Sequence, residues 1–277
     1  MTKPLPMTAA RRVFLIAGTP VALLIIGWTA LTGVAWAAQG SYRVNLDIAT
    51  RGRPVSLAVD SGQLTLSPGT SGKLRVTGTA HYALARSAVT WRSTAAGVSV
   101  SSRCRQLTGP CSFTYAVAVP ARSITGVDDS SGDVTARGLA GRLTVQAGSG
   151  DVRVSALSGD ARISDDSGDV SGSSLTSPEL TISADSGNVA LTGLASPDVT
   201  VASQSGDTVL RFVRVPATVE VSADSGDVTL VLPPGAATYQ VVARSSGGST
   251  TVGFPSDPSS PHLITVTDQS GNITITR

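Results

Sequence analysis

Two hydrophobic patterns divide the chain. No charged residue occurs between Val13 and Tyr42, and Val13–Ala38 is apolar almost throughout, long enough for a helix across a bilayer, which needs about 20 residues. Beyond it, apolar and polar positions alternate in short runs rich in Val, Ile and Thr, and Gly, Pro or Ser ends every run. A period of two belongs to strands with one buried face and excludes amphipathic helices. The prediction is an all-β body behind one transmembrane helix.

The alternation is itself repeated. Cutting at Ser-Gly pairs from Ser131 onward, with the two nine-residue pieces at 149–166 joined and Ser171-Gly172 kept inside its unit, gives units of 18, 18, 19, 19, 20, 21 and 24 residues and an unfinished eight. Self-similarity at this period marks a solenoid. The first six units open on a corner triplet, carried by Gly132-Asp133, Gly150-Asp151, Gly168-Asp169, Gly187-Asn188, Gly206-Asp207 and Gly226-Asp227, and the unit at 246–269 is looser. Glycine supplies a turn conformation that Ser or Val resists, and Asp or Asn can close the corner by bonding backbone amides. Stacked units align Val134, Val152, Val170, Val189, Thr208, Val228 and Ile273 in one file, and Leu143, Ala161, Leu180, Val199 and Val219 in a facing file. Leu139, Leu157, Leu175, Leu194 and Val213 are expected to fill the far end of the core. The fold class is therefore a single-chain β-solenoid (β-helix) of about seven coils of 18–21 residues over 123–277. At about 4.8 Å per coil it makes a rod of roughly 35 Å. An antiparallel sandwich is the alternative, but it has no reason to keep the triplet at constant spacing.

Residues 41–122 alternate more loosely and read as an all-β start to the same structure, with antiparallel pairing and a role in capping the first coil. With these residues in view, the chain resembles the bacterial putative-adhesin family, exported domains with recurring Ser-Gly-Asp-Val corners. The resemblance covers about 41–277. It implies a β-solenoid fold and surface attachment, and no catalytic residue.

The N-terminal segment divides into a cytosolic tail over 1–12 and an anchor over 13–38. Lys3, Arg11 and Arg12 precede the span and no acid occurs before Asp47, so by the positive-inside rule the N-terminus stays in the cytosol and the body is extracytoplasmic. Ala35-Trp36-Ala37 has the form of a signal-peptidase site, which gives the alternative of a secreted chain cut after Ala37. Arg11-Arg12 also fits a twin-arginine export signal, although so apolar a core suits the general route better. Cys104 and Cys111, the only cysteines, are expected to form a disulfide outside the cytoplasm, closing a loop through Thr108-Gly109-Pro110.

The net charge of +2 hides an asymmetry: residues 39–122 carry ten Lys/Arg against two Asp, and residues 123–277 eight against seventeen Asp/Glu. The basic half suits anionic lipid headgroups or wall polymers, or is a set of solvated arginines. Nucleic acid is disfavoured by location, by the acidic rod and by the lack of interleaved aromatics. The corner aspartates form a column, and Asp166, Asp185 and Asp224 add a second acidic position. Like charges one coil apart repel by about 1 kcal/mol even in water. Backbone amides at the corners answer this, or calcium on Asp166, Asp169, Asp185, Asp224 and Asp227. The GGxGxD corner of calcium-binding nonapeptide repeats is absent.

Enzymes are the remote alternative. Asp165, Asp166 and Asp169 are spaced like a polysaccharide-cleaving carboxylate set, yet such short coils leave little room for a groove, and no GxSxG, HExxH or P-loop occurs. His81 and His262 are far apart in sequence. The expected function is a non-enzymatic, adhesin-like surface module without cofactor. Its expected partners are the membrane and a wall polymer or envelope protein. The runner-up is an accessory of envelope-stress signalling. Trp91, Tyr239 and Phe254 are candidate contact aromatics or end-caps.

Overall fold

A computed structural model describes residues 9–70, 72–105 and 109–277, with side chains from Pro20 onward. Lys3, Ser71 and Thr108 lie outside what is described, as do the side chains of Arg11 and Arg12. One helix spans Ala9–Ala37 and contains Pro20. Its Pro20–Ala37 portion is long and apolar enough to cross a membrane or to serve as a signal sequence. Val21, Leu23, Leu24 and Trp28 lie open on its surface.

The body is a β-solenoid. Among the described residues, the strands form a 12-stranded and an 11-stranded sheet. Setting aside the antiparallel strands Gln39–Ala49 and Lys73–Ala83 from the first sheet, and Ala88–Ser93 from the second, leaves ten parallel strands in each, hence ten rungs. The valine file is continuous: Val134 pairs Val152, then Val170, Val189, Thr208, Val228 and Ile273. The facing file runs Leu143, Ala161, Leu180, Val199, Val219 and Ile264. All of these are buried. Two walls of side chains meet across a narrow core to which each rung adds little alone, so neighbouring rungs supply the stability.

Rungs do not follow chain order at either end. Val55–Val59 and Gly62–Gly69 form a rung beside the one containing Thr125–Asp129 and Gly132–Arg137. Val98–Arg103 and Ser112–Pro120 stack outside it. At the other end, Leu263–Ser270 and Ile273–Thr276 slot between the Thr218–Val231 rung and the terminal rung of Gln240–Ser245 and Thr250–Val252. The stack thus exceeds the seven coils counted from the repeat: residues 55–120 add two rungs, and the chain's last two strands complete a further one.

One core position departs from expectation. Val213 is 62% exposed, and Phe212 fills the far end of the core in its place. Each coil has a second corner, the turn from the 12-stranded to the 11-stranded sheet that carries Gly141 and Gly159, and earlier rungs place a left-handed residue before it: Gly138, Ala156, Ser174 and Gly193 have φ between 52° and 66°. The rung after Gly193 lacks it, and the register shifts between Leu191 and Leu194 so that Leu194 meets Phe212. The inward position arrives one residue early, and the next valine turns to solvent.

Candidate functional site: the corner column and the outward rows

The Ser-Gly-Asp corners build a hydrogen-bonded ladder. The Asp151 amide donates to Asp133 Oδ1 (3.0 Å), that of Asp169 to Asp151 Oδ1 (3.1 Å) and that of Asn188 to Asp169 Oδ1 (2.8 Å). The series continues from Asp207 to Asn188, Asp227 to Asp207, Asn272 to Asp227 and Ser249 to Asn272. Each side chain thus fixes the corner of the next rung. The glycine before it makes room. Gly187 has φ +126°, and a methyl group there would collide with the carbonyl oxygen of Gly168, so only glycine allows the corners to stack this closely.

Neutral Asn188 interrupts the negative column, and Arg153 bridges Asp151 at 2.6 Å and Asp133 at 3.9 Å. The second acidic position is also engaged, with Gln204 Nε2 donating to Asp185 (2.8 Å) and Gln269 Nε2 to Asp224 (2.7 Å). Among the described residues, no three Asp, Glu, His or Cys side chains converge as a metal centre would require. Asp166, Asp169, Asp185, Asp224 and Asp227 are therefore spread along the edge and not gathered at one point.

Three aspartates stand inside the corner, among them Asp165 of the candidate carboxylate set, whose burial the repeat count did not bring out. Asp129, Asp165 and Asp268 are almost wholly buried, in a file that reads Asp129, Ala147, Asp165, Ala184, Ser203, Ala223, Asp268. The signal was present: Asp165 lies two residues after inward Ile163, and so shares its phase. Both carboxylate oxygens of Asp129 and of Asp165 lack a hydrogen-bond partner. Burial pushes each carboxyl up to about 6. The Ser131 and Ser167 amides oppose this from short range without reaching hydrogen-bond geometry, and neighbouring aspartates add to it. Asp165 is thus sealed beneath the corner, Asp166 faces solvent and Asp169 holds the Asn188 amide. The three do not flank a common groove as a glycosidase pair would.

Cys104 and Cys111 are disulfide-bonded with a Cα–Cα distance of 6.0 Å, joining the outermost parallel strands of the two sheets. Asp60 Oδ2 accepts the Cys104 amide at 2.9 Å. Tyr239 and Phe254 plug the opposite end, their rings 5.6 Å apart, with the Arg277 guanidinium over both. Trp91 is 51% exposed on an edge strand. His81 sits in the strand Lys73–Ala83 near the helix end of the stack, and His262 packs on Tyr239 at the far end, so no histidine pair forms.

Outward side chains make rows. A groove of about 430 Å³ on the larger sheet crosses four rungs and is lined by Arg137, Arg153, Ser155, Ser171, Ser173 and Thr192 among others. One of about 280 Å³ on the smaller sheet is lined by Arg142, Thr144, Asp160, Arg162, Glu179 and Thr181.

Fold and corner ladder together define a parallel β-solenoid built on Ser-Gly-Asp turns. Residues 114–276 match the Toastrack DUF4097 family, and the chain belongs to that family. Among solved structures, a putative adhesin from Bacteroides fragilis is similar at 14% identity, over 85% of this chain and 96% of its own, with a TM-score of 0.49. A putative cell adhesion protein from Clostridium sporogenes is similar at 11% identity, over 86% and 99%, with a TM-score of 0.34. None of the curated proteins is significantly similar.

Proposed function

We propose that the protein is a single-pass, N-in membrane protein whose β-solenoid stands outside the cytoplasm as a non-enzymatic surface interaction module. One observation carries this reading. The acidic groups that recur in the sequence are spent on holding rungs together, while the rungs turn flat rows of Ser, Thr and Arg outward. Side chains that repeat at about 4.8 Å suit a partner that repeats as well: a wall polymer, or an envelope protein offering an extended face. The charge-free apolar stretch of the helix from Val13 onward supports the anchor, and Lys3, Arg11 and Arg12 ahead of that stretch support the orientation. The disulfide agrees with an oxidising compartment.

The test is deletion of the gene followed by separate adhesion and envelope-stress reporter assays, with complementation by the wild type and by a variant carrying Arg137→Gln and Arg153→Gln. Lost adhesion that the wild type restores and the variant does not is the expected result. An altered stress reporter with unchanged adhesion would replace this reading by the signalling one.

A further inference from the structure

We propose that the groove between the strands Ala88–Ser93 and Val98–Arg103 docks on the phosphates of anionic phospholipid headgroups in the membrane that holds the anchor; this rests on the anchored reading above. The segment from Ser61 to Val127 contains no Asp or Glu. Within it, Arg92, Arg103 and Arg105 line a groove of about 600 Å³ together with Thr90, Ser99 and Ser101. The antiparallel register sets Arg92 opposite Ser99, Thr90 opposite Ser101 and Ala88 opposite Arg103. An arginine therefore stands at each end of the groove, and hydroxyls line the middle.

Among the described residues, none of the three guanidinium groups has a carboxylate partner; the ion pairs belong to Lys73, Arg75, Arg142 and Arg153. Unneutralised arginine forks over a hydroxyl floor suit a phosphodiester, whose oxygens accept two parallel N–H bonds from each fork.

Position selects the source of that phosphate. Ala35, in the last turn of the helix, is fully buried, and a methyl group on Gly109 would lie 2.8 Å from the Ala83 side chain and 3.0 Å from that of Ala35. The Leu84 amide donates to the Ala38 carbonyl at 3.4 Å. The membrane end of the helix is thus fixed against the disulfide loop, at the corner where Arg103 and Arg105 stand. Ala88–Ser93 is the outermost strand of its sheet at this end. It also exposes Trp91, a residue type enriched where protein meets the headgroup layer.

The test uses the full chain in nanodiscs of phosphatidylcholine alone or of equal parts phosphatidylcholine and phosphatidylglycerol, with hydrogen exchange read over 88–103. Exchange is expected to slow several-fold in the anionic discs only. The protection should fall about five-fold for each of Arg92→Gln, Arg103→Gln and Arg105→Gln, and vanish in high salt. All three arginines are exposed, so the variants should melt as the wild type does. Equal exchange in both discs, with the chain still embedded, would overturn the docking and leave the anchored reading standing. A chain that leaves both kinds of disc would overturn the anchored reading and the docking with it. Protection by inorganic phosphate in zwitterionic discs, equal to that from phosphatidylglycerol, would make the ligand a free anion. Protection by soluble poly(glycerol phosphate) with none from phosphatidylglycerol would assign the groove to a wall polymer. Either result overturns the headgroup assignment.

Discussion

A carboxylate at a Ser-Gly-Asp corner gains more from the amide of the next rung than it loses to the carboxylate one rung away. The repulsion is about 1 kcal/mol per pair at high dielectric, whereas a hydrogen bond to a charged group contributes about 1.5–3 kcal/mol. The acceptor matters more than the charge, because Asn188 and Asn272 hold the same place in the ladder. Asp169→Asn should therefore leave the melting temperature within about 2 °C of the wild type. Asp169→Ala should cost about 1 kcal/mol or more in chemical denaturation, since it strands the Asn188 amide. The buried aspartates behave in the opposite way. With folded-state values raised to about 6 from 3.8, Asp129 and Asp165 hold protons in the folded chain that the unfolded chain has released. Stability should rise as pH falls through about 6 and level off near 4. Asp165→Ala, which copies Ala147 and Ala184 in the flanking rungs, should raise the melting temperature at pH 7 and reduce its gain between pH 7 and 5. Thermal scans at the two pH values read both effects. Corner chemistry was legible because Gly and Asp have few other uses side by side at fixed spacing. Asp165 was not, because an aspartate next to a corner reads as part of the exposed turn until its phase with Ile163 is counted.

At the scale of one coil, the two corners solve the same problem differently. The first uses glycine in every rung but the outermost, where Phe113 stands beside Gly62, because the carbonyl of the neighbouring corner occupies the space a Cβ would need. The position just before the second has more space, and Ala156 and Ser174 stand there in the left-handed region alongside Gly138 and Gly193. A non-glycine residue there costs roughly 1–2 kcal/mol, against up to about 1 kcal/mol of unfolded-chain entropy that a glycine would add. Ala156→Gly and Ser174→Gly should each stabilise by a few tenths to about 1 kcal/mol in urea denaturation, without changing the denaturant slope. This corner also explains why Val213 misled a count at fixed offsets. The inward files are set by strand period and survive small changes of unit length, whereas the far-end position depends on whether the left-handed residue is present. Phe212 follows from its absence.

Across the whole molecule, the inward files from Val134 to Val228 were readable, and the order of rungs at the two ends was not. Any strand with the same alternation can extend a parallel sheet, so the repeat encodes membership in the stack better than sequence of stacking. Leu263–Ser270 pairs with both Thr218–Ser225 and Gln240–Ser245, which no unit count could indicate. Both ends are then closed, as open stacks require: antiparallel strands finish the helix end, and a three-residue strand with the Tyr239–Phe254–Arg277 plug finishes the other. A stack about 50 Å long held at one corner to the helix is suited to reach outward from a membrane. The anchored, outward-facing arrangement is tested most directly by placing a cysteine at exposed Thr200 on the smaller sheet and treating intact cells with a membrane-impermeant maleimide. The account predicts that Thr200→Cys is labelled without lysis and that the labelled chain stays in the carbonate-washed membrane fraction at its full mass. Labelling that appears only after lysis, or a labelled chain shortened to a start near Ala38 and free in the medium, would contradict it.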